Sequence, residues 1–319
     1  MNEQQPTIKK RTLLGYLKIF GCGFIMGGAD VIPGVSGGTM AFILGIYNEF
    51  LTSLKDILSP NTVRMACKFQ VKKLFTQLPW PFLVALGLGI LTAILTLSTP
   101  LKWMLENKLV LILAFFFGLV AGSVITVLNK VEKWSLNRYI ALLIGGVAGF
   151  LIVGLPMLNN PPKSVLYLLL CGAIAICAMV LPGISGSFIL LLMGKYETIL
   201  NMVHQLKSQI NVLQNFFGLA IFMAGVVLGL ACFVRFLSWL LKKYHDLTVA
   251  VLIGFMIGSL RKVWPWKVDG NIANSNILPS DFNSEFIFAI TLAIFGLAFM
   301  LIMEYVVNKL SSKETTKID

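Results

Sequence analysis

Two seven-residue segments decide the fold of this chain. The first is Val31-Ile32-Pro33-Gly34-Val35-Ser36-Gly37, and the second, 149 positions later, is Val180-Leu181-Pro182-Gly183-Ile184-Ser185-Gly186. They lie in a longer match between 22–51 and 171–200, in which 12 of 30 positions are identical. A weaker match at an offset of 136 aligns Gly122-Ser123 with Gly258-Ser259. Because Pro, Gly and Ser recur in register, we predict two homologous halves, residues 1–156 and 164–306, and a tail at 307–319.

The chain around these segments is too apolar for a soluble protein. Of its 319 residues, 57% are hydrophobic and 13% are charged, against roughly 45–50% and about 25% in soluble domains. The apolar residues form blocks of about 14–21 residues, which suit a bilayer core of about 30 Å. We therefore predict an all-α polytopic membrane protein. Its six spanning helices are expected at 80–99, 109–128, 139–156, 216–236, 247–260 and 286–305.

Each repeated segment interrupts an apolar stretch of about 30 residues. Pro removes a backbone donor and clashes with the preceding turn, and Gly permits conformations that other residues avoid. The first helix should therefore end near Asp30–Ile32 and restart near Gly38. Lipid cannot satisfy the backbone groups that such a break exposes, so protein or water must surround it.

Loop charges favour segments 12–51 and 164–200 as re-entrant hairpins rather than as crossings. With hairpins and a cytoplasmic N-terminus, the inside loops hold 16 Lys and Arg and the outside loops hold 8. With crossings, the two numbers are 11 and 13. Only the hairpins satisfy the positive-inside rule, and they place both termini in the cytoplasm. Each half then has one hairpin and three spans, so the halves form an inverted repeat, as in many secondary transporters.

The two restarted helices are the predicted anion site. A helix N-terminus presents free N–H groups and a partial positive charge, and two such ends facing each other would suit a phosphate or a carboxylate. The alternative is that Ser and Gly only cap the helices and allow close packing. The candidate phosphate ligands are Ser36, Gly37, Gly38, Thr39, Ser185, Gly186 and Ser187.

Charged residues at membrane depth are the other candidates. Asp30 precedes the first break, and Met179 takes its place before the second. An intramembrane carboxylate indicates a functional role, here coupling or gating; the alternative is a cap of the restarting backbone. Lys195, Arg235 and Arg261 are secondary basic candidates, with anchoring at the membrane interface as the alternative. We attribute the net charge of +12 to loop Lys and Arg residues that orient the chain in the membrane, and we do not expect binding to nucleic acid.

The two segments also spell GxSG, as in intramembrane serine proteases. A serine nucleophile needs a base within hydrogen-bond reach, but His204 falls in a predicted loop and His245 at the start of a span. We therefore predict a protein that is not an enzyme and that has no metal or cofactor. Four GxxxG pairs are expected to pack helices within the chain, with assembly into a homo-oligomer as the alternative.

The run Gly28–Thr39, followed by Gly45-Ile46-Tyr47, resembles the signature of a bacterial and archaeal family of polyprenyl-phosphate transporters, formerly a domain of unknown function. Segments 180–187 and 118–123 also resemble that family. The resemblance implies a flippase that returns undecaprenyl phosphate, a cell-envelope carrier lipid, from the outer to the inner leaflet of the plasma membrane. The expected partners are this lipid and membrane lipid.

The residues alone leave a second function open, the secondary transport of a small soluble anion. A lateral opening that admits an isoprenoid tail would favour the lipid. A closed watery funnel would favour the small anion.

Overall fold

The computed structural model describes residues 11–30, 37–68, 70, 77–129, 131, 133–158, 160–268, 275–279 and 282–315. In the first half the helices are α1 (Leu13–Asp30), α2 (Gly37–Ile43), α3 (Tyr47–Ile57), α4 (Pro60–Cys67), α5 (Trp80–Asn107), α6 (Leu109–Leu128) and α7 (Leu136–Val153). In the second half they are α8 (Val165–Val180), α9 (Gly186–Leu192), α10 (Tyr196–Lys207), α11 (Val212–Lys243), α12 (His245–Ser259) and α13 (Ser284–Thr315). No strand occurs among these residues, and the predicted all-α class is confirmed.

Among the described residues, five helices are long and apolar enough to cross a membrane, namely α5, α6, α7, α11 and α13. The predicted fifth span, 247–260, is α12, whose 15 residues end at Ser259. The first predicted span, 80–99, lies in α5, whose apolar window is Trp80–Leu97 and which continues as a helix through Pro100 to Asn107. The physical reason is packing, since Leu101, Met104 and Leu105 in the extension lie against the hydrophobic core. Likewise α13 continues to Thr315, into the predicted tail.

Four helix pairs build the structure: α1 with α5, α8 with α11, α6 with α13, and α7 with α12. The third span of each half therefore packs against the second span of the other half. The first two pairs correspond residue by residue. Gly23 lies against Leu86 and Gly172 against Phe222, and the two contacts are related by the sequence offsets of 149 and 136.

The four GxxxG pairs lie where these helices meet. A Cβ atom added at Gly118 would overlap the carbonyl oxygen of Ala293, and one at Gly254 would overlap that of Leu142. Gly145 and Gly225 are equally close to Val251 and Leu169. The prediction that GxxxG packs helices within the chain is confirmed. The boundaries of the halves and their inverted orientation stay predictions.

The core of the molecule is formed around α6 and α12, which contact each other. Two-thirds (67%) of the apolar window of α6 is buried, against 11% of that of α11. The outer helices α5, α7, α11 and α13 expose many Leu, Ile and Phe side chains. A continuous apolar surface of this kind suits contact with lipid.

Both broken segments fold back on themselves. The Arg11 guanidinium before α1 donates hydrogen bonds to both carboxylate oxygens of Glu49 in α3, at 2.7 and 2.6 Å. In the second half, the Tyr167 hydroxyl near the start of α8 donates to the Met193 carbonyl after α9, at 2.9 Å. The turn between α2 and α3 and the turn between α9 and α10 each contain a glycine with positive φ, +72° at Gly45 and +66° at Gly194, which glycine adopts without strain.

Candidate functional site

The helix breaks lie where the sequence predicts them. Helix α1 ends at Asp30 and α2 begins at Gly37, while α8 ends at Val180 and α9 begins at Gly186. The connecting segment 31–36 lies outside the described residues, and with it the candidate ligand Ser36. We refer to the ends of the helices around the two breaks as the first and second tips.

The two tips contact each other directly. The N–H of Gly183 at the second tip donates to the Thr39 hydroxyl oxygen at the first tip, at 2.7 Å. The Tyr47 hydroxyl donates to the Val180 carbonyl, the last of α8, at 3.0 Å. Thr39 is 1% exposed and Tyr47 is 2% exposed. The two broken segments are therefore joined through buried hydrogen bonds.

At the first tip, a carboxylate already occupies the start of the helix. The Gly37 N–H donates to Asp30 Oδ1 at 2.7 Å. A Cβ atom at Gly37 would lie 2.8 Å from the carboxyl carbon of Asp30, so this approach requires glycine. Asp30 thus caps α2, and an external anion at the Gly37 N–H would have to displace it.

At the second tip, serine hydroxyls take the place of the carboxylate. Ser185 is the N-cap of α9, and its Oγ accepts a hydrogen bond from the Phe188 N–H at 3.2 Å. The hydroxyl oxygens of Ser185 and Ser187 lie 3.2 Å apart. A Cβ atom at Gly186 would lie 2.7 Å from the Ala175 carbonyl oxygen, so glycine here permits close packing. No finding tests phosphate binding at either tip, and that assignment stays a prediction.

The three basic candidates occupy different surroundings. Lys195 is 7% exposed, with its ammonium 5.8 Å from the centre of the Tyr167 ring. Arg235 donates to the Leu58 carbonyl at 2.5 Å and to Ala231 in its own helix at 2.9 Å. It therefore ties α11 to the end of α3, which favours a structural role. Arg261 lines a cavity.

This cavity, here called the basic cavity, has a volume of about 280 Å³. It lies between the end of α7, helix α9 and the segment after α12. Its walls include Gly154, Phe188, Arg261, Lys262, Lys267 and Asn276. Lys267 was missed by the sequence reasoning, and Lys262 was noted only as the neighbour of Arg261. The sequence feature that could have indicated this cavity is the presence of three basic residues within the seven positions 261–267.

Lys262 and Lys267 lie outside the membrane-spanning helices, in the segment after α12. Burial lowers the pKa of Lys262 to about 8. Burial also lowers the pKa of Lys267 to about 8, and the positive charges of Lys262 and Arg261 contribute. Both ammonium groups therefore remain mostly protonated at neutral pH and lose their protons in the mildly alkaline range.

A second cavity is apolar. It is a groove of about 460 Å³ between the α1–α5 pair and the α6–α13 pair, here called the apolar groove. Its walls include Gly28, Ala29, Met40, Leu97, Phe115 and Phe299. Met40 follows Thr39, so the groove reaches the first tip. Its lining residues are all hydrophobic apart from Gly28.

Acidic and other metal-binding side chains do not cluster in the part of the chain that the structure describes. No group of three or more His, Cys, Asp or Glu residues is placed there to hold a metal ion. Of the two histidines, His204 lies in α10 and His245 lies at the start of α12.

Comparisons with known proteins agree on one family. Residues 26–277 match the family model described as undecaprenyl phosphate translocase-like. A polyprenyl-phosphate transporter of Vibrio cholerae serotype O1 is 42% identical over 254 residues, which cover 80% of this chain and 79% of the relative. A polyprenyl-phosphate transporter of Staphylococcus aureus is 32% identical over 263 residues, 76% of this chain and 84% of the relative. No solved structure matches the chain.

Proposed function

The chain belongs to the undecaprenyl phosphate translocase-like family, and from this premise we propose that it transports undecaprenyl phosphate, or a related polyprenyl phosphate, across the plasma membrane. We propose that the lipid moves from the outer to the inner leaflet, and that the protein acts as a multi-pass transporter rather than as an enzyme. Both termini would lie in the cytoplasm, as the loop charges predict.

The apolar groove is the observation that carries this proposal. A polyprenyl tail is a long hydrocarbon, and its burial is favourable by about 25 cal/mol per Å² of apolar surface. The groove lies between two helix pairs and ends beside the first tip, at Ala29 and Met40. It could therefore hold the part of the tail nearest the phosphate while the rest stays in lipid.

The contact between the tips is the proposed crossing point for the head group. Thr39 and Gly183 meet there, and Ser185 and Ser187 present hydroxyls beside them. In this proposal Ser36, Gly37, Gly38, Thr39, Ser185, Gly186 and Ser187 contact the phosphate during passage. Asp30, which binds the Gly37 N–H, would release that N–H and so gate the path.

The alternative, transport of a small soluble anion, finds support in the basic cavity alone. A soluble anion has no use for an apolar groove between helix pairs. The family and the groove together favour the lipid.

A leaflet-resolved assay tests the proposal. Purified protein in liposomes should accelerate the movement of labelled undecaprenyl phosphate between leaflets. Leu97→Trp should fill the apolar groove and slow this movement at least about fivefold, since a Trp side chain buries much more surface than a Leu. Leu95→Trp is the matched control, because Leu95 lies on the same helix and is 71% exposed.

Two outcomes would count against the proposal. Wild-type protein that moves no undecaprenyl phosphate would refute the function. Equal transport by the Leu97→Trp and Leu95→Trp proteins would remove the groove from the tail path.

A further inference from the structure

We propose that the basic cavity is a binding site for a phosphate group, either the monoester head group of the transported lipid or the free phosphate ion. Arg261, Lys262 and Lys267 are its ligands. The inference rests on the proposed function and deepens it, because it assigns the head group a docking site that is distinct from the tips.

The charge of the cavity is the first argument. Lys262 is 8% exposed and Lys267 is 6% exposed, and Arg261 joins them at the wall. Among the described residues that line the cavity, none is acidic. Buried charges without a counter-ion are costly, and like charges that share a site repel one another. A phosphate monoester carries about −1.5 to −2 at pH 7, which would offset half or more of the charge of the three cations.

The three cations are held in place by different contacts. The Lys262 ammonium lies 4.2 Å from the centre of the Phe188 ring. The Arg261 guanidinium lies 4.4 Å from the centre of the Phe150 ring, and stacking of this kind leaves its N–H donors free at the edge. Lys267 donates to Asn276 Oδ1 at 2.5 Å. Asn276 in turn donates to the Arg261 carbonyl at 2.9 Å, so the donors are already arranged before a ligand enters.

The cavity is connected to the second tip through one residue. Phe188, which holds Lys262, belongs to α9, and its N–H binds the N-cap Ser185. A phosphate bound by Lys262 would therefore lie beside the restarted helix of the second half. In the predicted orientation this end of the molecule faces outward, where the lipid is taken up.

Binding measurements on the full-length protein test the site. Wild-type protein is titrated with undecaprenyl phosphate, with the uncharged alcohol undecaprenol and with inorganic phosphate. Lys262→Gln should weaken phosphate-dependent binding at least tenfold, and Lys262→Arg should retain it. Binding of undecaprenol should not change. Lys243→Gln is the matched control, because its ammonium also contacts aromatic rings, at 5.4 Å from Trp239 and 5.3 Å from Tyr244.

The ligands separate the two sources of phosphate. Weaker binding of undecaprenyl phosphate assigns the site to the lipid head group. Weaker binding of inorganic phosphate alone assigns it to the free ion. If Lys262→Gln and Lys267→Gln both bind all phosphate ligands like wild type, the site is overturned. Thermal melting of each variant shows whether it is folded, and Lys267→Gln provides the test if Lys262→Gln does not fold.

An internal counter-ion is a further outcome that would overturn the site. Asp269 follows Lys267 by two positions and lies outside the described residues. If Asp269→Asn lowers the melting temperature of the ligand-free protein and Lys262→Gln binds phosphate normally, the cations serve an ion pair instead.

The pH dependence of binding provides an independent readout. The titratable groups that line the described cavity are Arg261, Lys262 and Lys267, and the phosphate itself is fully charged above its second pKa of about 6. Because the pKa of each lysine is about 8, affinity should hold near pH 7 and fall as the pH rises to 9.5. The double variant Lys262→Arg with Lys267→Arg should keep its affinity, since arginine stays protonated. An equal fall in both proteins would contradict the role of the lysines.

The assays also distinguish this inference from the proposed function. If wild-type protein moves the lipid but Lys262→Gln and Lys267→Gln both bind all phosphate ligands normally, this site fails and the function stands. If wild-type protein moves no lipid but binds phosphate in a way that depends on Lys262, the function fails and the site stands.

Discussion

The two halves of the molecule share their helix packing but differ in the charges beside their broken helices. At the first tip Asp30 caps α2, and the equivalent residue of the second half is Met179. In the second half, Phe188 and Lys262 contact each other. The sequence offset of 149 pairs Phe188 with Thr39 of the first half, and the offset of 136 pairs Lys262 with Thr126.

The position of the cationic Lys262 is therefore taken by the uncharged Thr126 in the first half. Thr39 binds across to Gly183. The hydroxyl of Thr126 is buried and has no hydrogen-bond partner among the described residues. The comparison teaches that the repeat supplies the scaffold, while the chemistry of each half depends on residues that the repeat does not preserve.

Breaking the shared packing should have the largest effect, and an equal one in both halves. Gly254→Val would drive a side chain into the Leu142 carbonyl, and Gly118→Val into the Ala293 carbonyl. Because a backbone neighbour cannot move aside easily, each variant should lose about 3 kcal/mol of stability or more, at the upper end of overpacking effects. Thermal melting in detergent measures this loss.

Gly87→Val is the control for both variants, because a Cβ atom at Gly87 would meet nothing within 4 Å. Melting temperatures equal to that of the control would contradict the close helix pairing. A large loss of stability in only one of the two variants would contradict the correspondence between the α6–α13 and α7–α12 pairs.

Removing the charge of the first tip should affect transport rather than folding. In Asp30→Asn, the amide oxygen can still accept the Gly37 N–H, so the protein should remain folded. Its transport of undecaprenyl phosphate should fall at least about tenfold, in line with the default functional role of intramembrane carboxylates, and should lose its pH dependence. The liposome assay, repeated across a pH series, measures both quantities.

The equivalent change in the second half, Met179→Leu, should leave transport as it is. An Asp30→Asn protein that keeps the wild-type pH dependence would show that Asp30 only caps the helix.

The smallest effect is expected from the contact between the tips. Tyr47→Phe removes the hydrogen bond to the Val180 carbonyl and should cost about 1 kcal/mol in the free energy of unfolding. Tyr196 is the equivalent residue, and its hydroxyl has no hydrogen bond to the described residues, so Tyr196→Phe should be close to neutral. Denaturant unfolding of the two variants compares them directly. If both variants lose the same free energy of unfolding, the hydrogen bond of Tyr47 does not contribute to stability.

Much of the architecture could be predicted because its signals are local. Pro and Gly in the motifs mark the breaks, and α1 and α2 end and begin close to the predicted positions. Span 109–128 is α6 to the residue. The end of α5 was harder to predict, since a Pro inside a helix favours a break, yet α5 continues through Pro100, and Leu101 and Met104 beyond it pack against the core.

The candidate site was harder to predict, because cations look alike in sequence. Arg235 and Arg261 both follow apolar runs, yet Arg235 binds the Leu58 carbonyl and Arg261 lines the basic cavity. Lys267 falls in a predicted loop in which no motif indicates a binding site. Its position beside Lys262 depends on Asn276, nine residues away.

The sequence by itself determined the membrane class, the duplicated broken helices and the resemblance to a transporter family, because each depends on composition or on residues that are close in the chain. The tertiary structure alone decided that the tips bind each other, that Asp30 occupies the start of α2, and that three cations share one cavity. These contacts join residues up to 144 positions apart. These contacts form because helices of one half pack against helices of the other half, and no local sequence pattern specifies that packing.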